Sequence, residues 1–120
     1  MALQQSRFGV THASQESNGA SVIALSGQLD AHTAPELEHF LEETIRTEKK
    51  AKIVLDFTSL EYISSAGLGV LMGFVEETRE ADGDIKLACV PEKIYHVLDL
   101  LGFPVVFSIR TTVAEAVSEF

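Results

Sequence analysis

The strongest constraint on this chain lies between Ala51 and Val75, in AKIVLDFTSLEYISSAGLGVLMGFV. Ile53-Val54-Leu55 is a short apolar run rich in β-branched residues. It suits a strand covered on both faces, and the flanking Lys52 and Asp56-Phe57-Thr58-Ser59 limit it to strand length. Ser64-Ser65-Ala66-Gly67-Leu68-Gly69 follows, and then Leu71, Met72 and Val75 recur at helical spacing. The stretch reads as a strand, a turn, and a helix whose N-terminus carries two hydroxyls. Gly67, Gly69 and Gly73 would each cost that helix about 1 kcal/mol relative to alanine. Close backbone approach is the compensating reason: either the helix packs tightly on the sheet, or a partner or phosphate comes to the free N–H groups and dipole at its start. On the residues alone packing is favoured, because isolated glycine motifs often match by chance.

A chain of 120 residues fits one domain, spanning 1–120, with a single continuous core. No apolar run approaches membrane-spanning length, and MALQQSRFGV lacks the basic and apolar regions of a secretory signal, which places the protein in the cytoplasm without direct membrane insertion. The net charge of −9, with nine scattered basic residues, argues against nucleic acid and favours a partner with a basic patch. The single cysteine, Cys89, falls in an apparent strand from Ile85 to Val90, where a small hydrophobe is its expected role.

Phe8, Val10 and His12 alternate with smaller residues, and Val22 to Leu25 follows the turn-rich Glu16-Ser17-Asn18-Gly19, which predicts an antiparallel pair with His12 near a sheet edge. Ser26 to Asp30 ends the second strand. Thr33-Ala34-Pro35-Glu36 has capping-box spacing and opens a helix with Leu37, Phe40, Leu41 and Ile45 on one face. After the central unit, Ala81 to Asp84 makes a turn into Ile85 to Val90. Pro91 opens a helix with Ile94, Tyr95, Leu98 and Leu101 on its apolar face, and Gly102 stops it. Val105-Val106-Phe107 with Ile109 predicts a last strand, and Thr112 to Glu115 repeats the capping-box spacing ahead of a short helix. The order ββαβαβαβα implies an α/β fold with a mixed, mostly parallel five-stranded sheet and about four helices. Functional loops in such sheets gather beyond the strand C-termini, which makes the loop at Gly27 to Thr33 and the turn at Tyr62 to Gly67 candidate neighbours.

Ser64 and Ser65 are the sharpest chemical candidates. One is explained as a helix cap worth about 1 kcal/mol, which leaves the other over. No G-x-S-x-G elbow and no triad spacing supports a nucleophile. A phosphorylation site is physically easier, because a helix N-terminus accommodates the charge without rebuilding the fold. His12, His32, His39 and His96 show no metal-binding spacing, and no phosphate-binding Gly-Lys-Ser/Thr loop is present. Asp30 and Asp56 each follow a predicted strand and could approach the serine turn, with turn or capping chemistry the plainer role for Asp56. Glu76-Glu77 with Glu80 reads as a solvated helix face.

Ser26-Gly27-Gln28-Leu29-Asp30 with Thr33-Ala34, and Leu55-Asp56-Phe57 with Tyr62 to Leu71, resemble the two signatures of the STAS domain of bacterial anti-sigma factor antagonists. The resemblance extends in element order over almost the whole chain, through Leu100-Leu101-Gly102-Phe103. It implies a small switch protein, not an enzyme, that binds an anti-sigma factor which is also a serine kinase. Phosphorylation would release it, and a metal-dependent serine phosphatase would reset it. The nucleotide belongs to the partner, so no cofactor and no metal are expected here. Aligning the Gly-Leu-Gly run puts the phosphorylated serine at Ser65, with Ser64 the competing acceptor. Ser64 and Ala66 stand where the most familiar form of the motif has Asp before and Ser or Thr after. The resemblance implies a partner surface of Asp30, His32, Thr33, Ser64, Ser65, Ala66, Gly67, Leu68 and Gly69. The alternative keeps the fold and drops phosphorylation: a STAS adaptor subunit of a membrane transporter complex.

Overall fold

The structure, a computed structural model, describes residues 7–16 and 18–120. Five strands form one sheet in the order β1-β2-β3-β4-β5: β1 (Gly9–Gln15), β2 (Ser21–Leu29), β3 (Lys52–Ile63), β4 (Asp84–Ala88) and β5 (Ile109–Arg110). β1 pairs antiparallel with β2 and every other neighbour is parallel, as the alternating pattern predicts. Five helices connect them: α1 (Ala34–Glu42), α2 (Ser65–Glu80), α3 (Glu92–Leu100), α4 (Phe103–Val106) and α5 (Val113–Ser118). Ser17 of the predicted first turn and the opening residues 1–6 lie outside the described residues.

The sheet is covered unequally. Ile23, Leu25, Ile53, Leu55, Phe57, Ile85 and Leu87 point to one face and share a core with Leu37 and Leu41 of α1, Leu71 and Phe74 of α2, and Ile94 and Leu98 of α3. Val22, Val54 and Ala88, each one residue out of phase, point to the other face and meet Ala116 of α5. This two-sided burial is why Ile53-Val54-Leu55 reads as an uninterrupted apolar run.

α1 continues through a π-helical turn at Glu43–Thr47, where the Glu48 N–H donates to the Glu43 carbonyl and the Thr44 hydroxyl donates back to the Phe40 carbonyl at 2.9 Å. The widened turn keeps Thr44 and Ile45 buried and delivers Arg46 to Glu77 of α2 at 2.9 Å. Glu77 is therefore a docking residue between two helices, not part of a merely solvated face, whereas Glu76 and Glu80 are exposed.

Both central strands run further than expected. β3 continues from Lys52 to Ile63 because its inward residues change spacing: Phe57, Leu60 and Ile63 are buried at intervals of three. Two irregularities in the pairing with β2 each place an extra residue on β3, which keeps those side chains inward where a period of two would turn them out. β2 passes through Ser26 and Gly27 without stopping. Gly27 has φ +77°, and a Cβ there would lie 1.6 Å from the Arg7 carbonyl oxygen, so the glycine marks a crowded bulge instead of a strand end.

The predicted last strand is displaced. Val105 and Val106 belong to α4, and β5 is only Ile109–Arg110. Phe103 and Phe107, four residues apart, stack at 5.3 Å between ring centroids and are buried, and the Phe107 N–H donates to the Phe103 carbonyl at 2.8 Å. Burying two rings at helical spacing outweighs the strand preference of two valines. In α3, Ile94 and Leu98 are buried as expected, while Tyr95 and Leu101 are exposed. Cys89 lies just past β4, half-buried at φ +56°, and not within a strand.

Candidate functional site

The N-terminus of α2 sits over the ends of β2 and β3. The Ser64 N–H donates to the Leu29 carbonyl at 2.9 Å, which joins the last residue of β2 to the residue before the helix. Gly67 completes the contact: a Cβ on it would lie 2.6 Å from Leu29 Cγ and 3.2 Å from Ile63 Cγ1, so the helix can approach these strand ends only through a glycine. The packing explanation is correct for Gly67. It fails for Gly69 and Gly73, which are exposed and would meet nothing within 4 Å.

The two hydroxyls are placed differently. Ser65 is the first residue of α2 and is exposed. Ser64 occupies the N-cap position in an extended conformation, yet its side chain makes no capping bond, and its Oγ is buried without a hydrogen-bond partner among the described residues. The expected serine cap is not formed.

The neighbouring loop is locked by Asp30. Its Oδ1 accepts the His32 N–H at 2.9 Å and the Thr33 N–H at 3.1 Å, an Asx turn that fixes the entry to α1. Desolvation pushes the Asp30 carboxyl up, but the Thr33 and His32 amides, the Thr33 hydroxyl and the nearby His32 imidazole outweigh it and hold the pKa below the usual carboxylate value. The Thr33 hydroxyl donates to the Gln28 carbonyl at 2.8 Å and accepts from the Asp30 N–H at 2.9 Å, so it clasps the loop instead of capping α1. The capping box expected at Thr33 is absent for that reason. At Thr112 the cap forms, its hydroxyl accepting the Glu115 N–H at 3.0 Å, while the Glu115 carboxylate reaches one residue further back and accepts the Thr111 N–H at 3.1 Å.

The residues singled out in the sequence divide accordingly. Asp30, His32, Thr33, Ser64, Ser65, Ala66 and Gly69 come together around the helix start with at least part of their surface open, whereas Gly67 and Leu68 are buried and present nothing to a partner. Asp56 does not approach the serine turn. It pairs with Ala24 and Ala88 in mid-sheet, eight residues of strand and turn before Ser64, and its Oδ1 accepts from the Thr58 N–H and hydroxyl. Met72 and Gly73 continue the exposed face of α2 below Ser65 and Gly69, and Tyr62, 50% exposed, stands two residues before the turn. Spacing signals this face: 65, 69, 72, 73 and 76 form one helical stripe directly opposite the buried 67, 68, 71, 74, 75 and 78.

His12 lies on the edge strand, its ring 4.8 Å from Phe40 and its Nε2 3.8 Å from Glu48. Among the described residues no three His, Cys, Asp or Glu side chains gather as a metal site, and no helix is long and apolar enough to cross a membrane.

A single mixed sheet with helices mainly on one face, and an exposed serine at a helix start beyond the strand ends, defines a small α/β domain. The model of the STAS domain family matches residues 12–116, and the chain belongs to that family. It is 28% identical over 101 residues to the anti-sigma F factor antagonist of Paenibacillus polymyxa, covering 84% of this chain and 86% of that protein. The fold superposes on an anti-sigma factor antagonist from Mycobacterium paratuberculosis with a TM-score of 0.79 at 23% identity, covering 92% of this chain and 93% of that one. It superposes on the Bacillus cell fate determinant SpoIIAA in its phosphorylated form with a TM-score of 0.69 at 22% identity, covering 94% and 98%.

Proposed function

We propose that this protein is an anti-sigma factor antagonist working by partner switching in the cytoplasm. Unphosphorylated, it binds an anti-sigma factor that is also a serine kinase; phosphorylation of Ser65 releases it, and a serine phosphatase restores it. The observation carrying this reading is the contrast between the two serines: Ser65 is exposed at the helix start, while the Ser64 oxygen is buried. That contrast supports Ser65 over Ser64 as the acceptor. The STAS relatives named as antagonists, one of them known in a phosphorylated form, support the same reading.

The docking face comprises Ser65, Ala66 and Gly69 with Met72 and Gly73 on α2, and Asp30, His32 and Thr33 on the adjoining loop. Gly69 and Gly73 have no packing reason to be glycine, and bare backbone lets a partner come close. A phosphate on Ser65 adds about −1.5 to −2 charge in the middle of this face. Desolvating it against a partner at a loss of about 3 kcal/mol lowers affinity on the order of a hundredfold, enough for a switch.

Incubation with the cognate kinase and ATP is expected to give a phosphopeptide containing Ser65, lost in Ser65→Ala and retained in Ser64→Ala. Ser65→Asp is expected to bind the partner far more weakly. Equal binding by Ser65→Asp, or purification from cells with transporter subunits and no kinase, would overturn the switch in favour of a constitutive adaptor.

A further inference from the structure

We infer that the joint between α3 and α4 is a docking surface for a second copy of this chain. It gives a weak, symmetric dimer that leaves both Ser65 faces open. The inference does not depend on Ser65 being modified.

Among the described residues, the large apolar side chains most open to solvent are Val105, Leu100 and Leu101, at 90%, 73% and 59%. Leu100 ends α3, Leu101 follows it, and Val105 stands on α4, with Gly102 between them at φ +77°. Two tight turns fix the group: the Gly102 N–H donates to the Asp99 carbonyl and the Val105 N–H to the Gly102 carbonyl, each at 3.1 Å. Phe103 and Phe107 take the inward face of α4, which turns Val105, two residues from either, to the outside. Single exposed apolar side chains are ordinary, but a group of them held rigidly in one place marks an interaction site.

Charge decides the occupant. The chain carries a net −9, yet positions 100–109 hold no charged residue. The two arginines at the border are neutralised from within: Arg79, which donates to the Val106 carbonyl, pairs with Asp84, and Arg110 pairs with Glu119. A basic partner therefore meets little here to attract it beyond Asp99, and a nucleic acid meets arginines already paired. Two copies of an acidic chain repel one another over most of their surfaces. They approach closely only where each is uncharged, and a two-fold axis brings this patch against itself.

Area sets the strength. A patch of this kind exposes on the order of 400 Å². Two copies then bury roughly 800 Å², short of the ~1,200 Å² at which stable interfaces begin, so the dimer is weak and reversible. Its position keeps it clear of the switch. Arg79, bound to the Val106 carbonyl, lies near the end of α2, and Ser65 stands at the start, about 20 Å away along the helix. Each dimer therefore presents two Ser65 faces at once.

The test is sedimentation equilibrium of the full chain from about 10 μM to about 1 mM, a range suited to a weak interface. The average mass is expected to rise from that of a monomer toward that of a dimer. Amide spectra over the same range are expected to shift at Leu100, Leu101 and Val105 and to stay constant at Ser65. Val105→Asp and Leu101→Asp are each expected to weaken association at least about tenfold, because a two-fold interface buries the new charge twice. Both sites are exposed, so unfolding midpoints should stay within about 3 °C of the parent. Added salt is expected to tighten the dimer by screening the repulsion between acidic copies. A monomer at every concentration, association undiminished in both variants, shifts confined to another surface, or a dimer that loosens with salt would overturn the proposal. So would a monomeric protein that sediments with neutral phosphatidylcholine vesicles and loses this in Val105→Asp, which would assign the patch to a lipid surface.

Discussion

The Ser64 amide donates to the Leu29 carbonyl at 2.9 Å, and this one bond sets the Asp30 loop beside the start of α2. Two signatures more than thirty residues apart in the chain become one surface because the strands that carry them, β2 and β3, are parallel neighbours ending at the same level, with Leu29 paired to Ile63. The same juncture determines which glycines of α2 are replaceable.

Gly67→Ala drives a methyl group to 2.6 Å from Leu29 Cγ, and the expected cost is about 1–3 kcal/mol of stability, read from denaturant unfolding. Gly69→Ala and Gly73→Ala meet open space in a helix interior and are expected to stabilise by about 0.5–1 kcal/mol each. Partner affinity should separate the roles: Gly73→Arg is expected to weaken binding at least tenfold with folding intact, and undiminished binding would move the docking face elsewhere.

Gly27→Ala combines a left-handed backbone with overlap against the Arg7 carbonyl. A loss of about 2 kcal/mol or more is expected, since the crowding atom is backbone and cannot rotate away. Unfolding midpoints for Gly27→Ala beside Ala24→Gly, a neighbouring control in the same strand, would check that the effect belongs to this position.

Glu77 is held below the usual glutamate value first by its hydrogen bond to Arg46, against opposing desolvation, with the Arg46 charge adding to the downward shift. A folded pKa lower than the unfolded one means that the pair's contribution is fully present above the unfolded carboxylate value, about 4.3, and is lost as pH falls through the lower folded value. Glu77→Gln should therefore flatten the acid limb of stability against pH. Both side chains of the pair are partly solvated, so raising the salt concentration should shrink the difference between variant and parent. An acid limb identical in the two proteins would exclude the pair as a contributor.

Thr112→Ala removes a working cap and is expected to cost about 1 kcal/mol, with loss of amide protection in α5 measured by hydrogen exchange. Thr33→Ala removes no cap. Its signature should be faster exchange at Asp30, whose amide donates to that hydroxyl, and Thr33→Ser should restore protection.

Much of this architecture is legible along the chain. The run at Ile53-Val54-Leu55 becomes a strand covered on both faces, the strand expected from Ile85 to Val90 forms as far as Ala88, and α1 with its π-helical continuation buries Leu37, Leu41 and Ile45 as their spacing predicts. The failures share a cause. At Val105-Val106 a local strand preference yields to two phenylalanines that must be buried together. At Thr58 to Tyr62 the period of two breaks because bulges, which exist only in pairing with β2, reset which side chains point inward. Identical capping-box spacing at Thr33 and Thr112 gives a loop clasp in one place and a cap in the other, since only Thr33 has the Gln28 carbonyl within reach.

Taken alone, the order of residues determined the alternation of strands and helices, the parallel sheet, and a helix opening on Ser64-Ser65. Those features follow from periodicity and turn chemistry, which act over a few neighbouring positions. Only the tertiary structure decided that Ser65 is exposed while the Ser64 oxygen is buried, that Gly67 is a contact and Gly69 and Gly73 are open, and that the Asp30 loop, not Asp56, lies beside the start of α2. Burial and proximity are set by whatever distant segment the fold brings alongside, here the end of β2 against the start of α2.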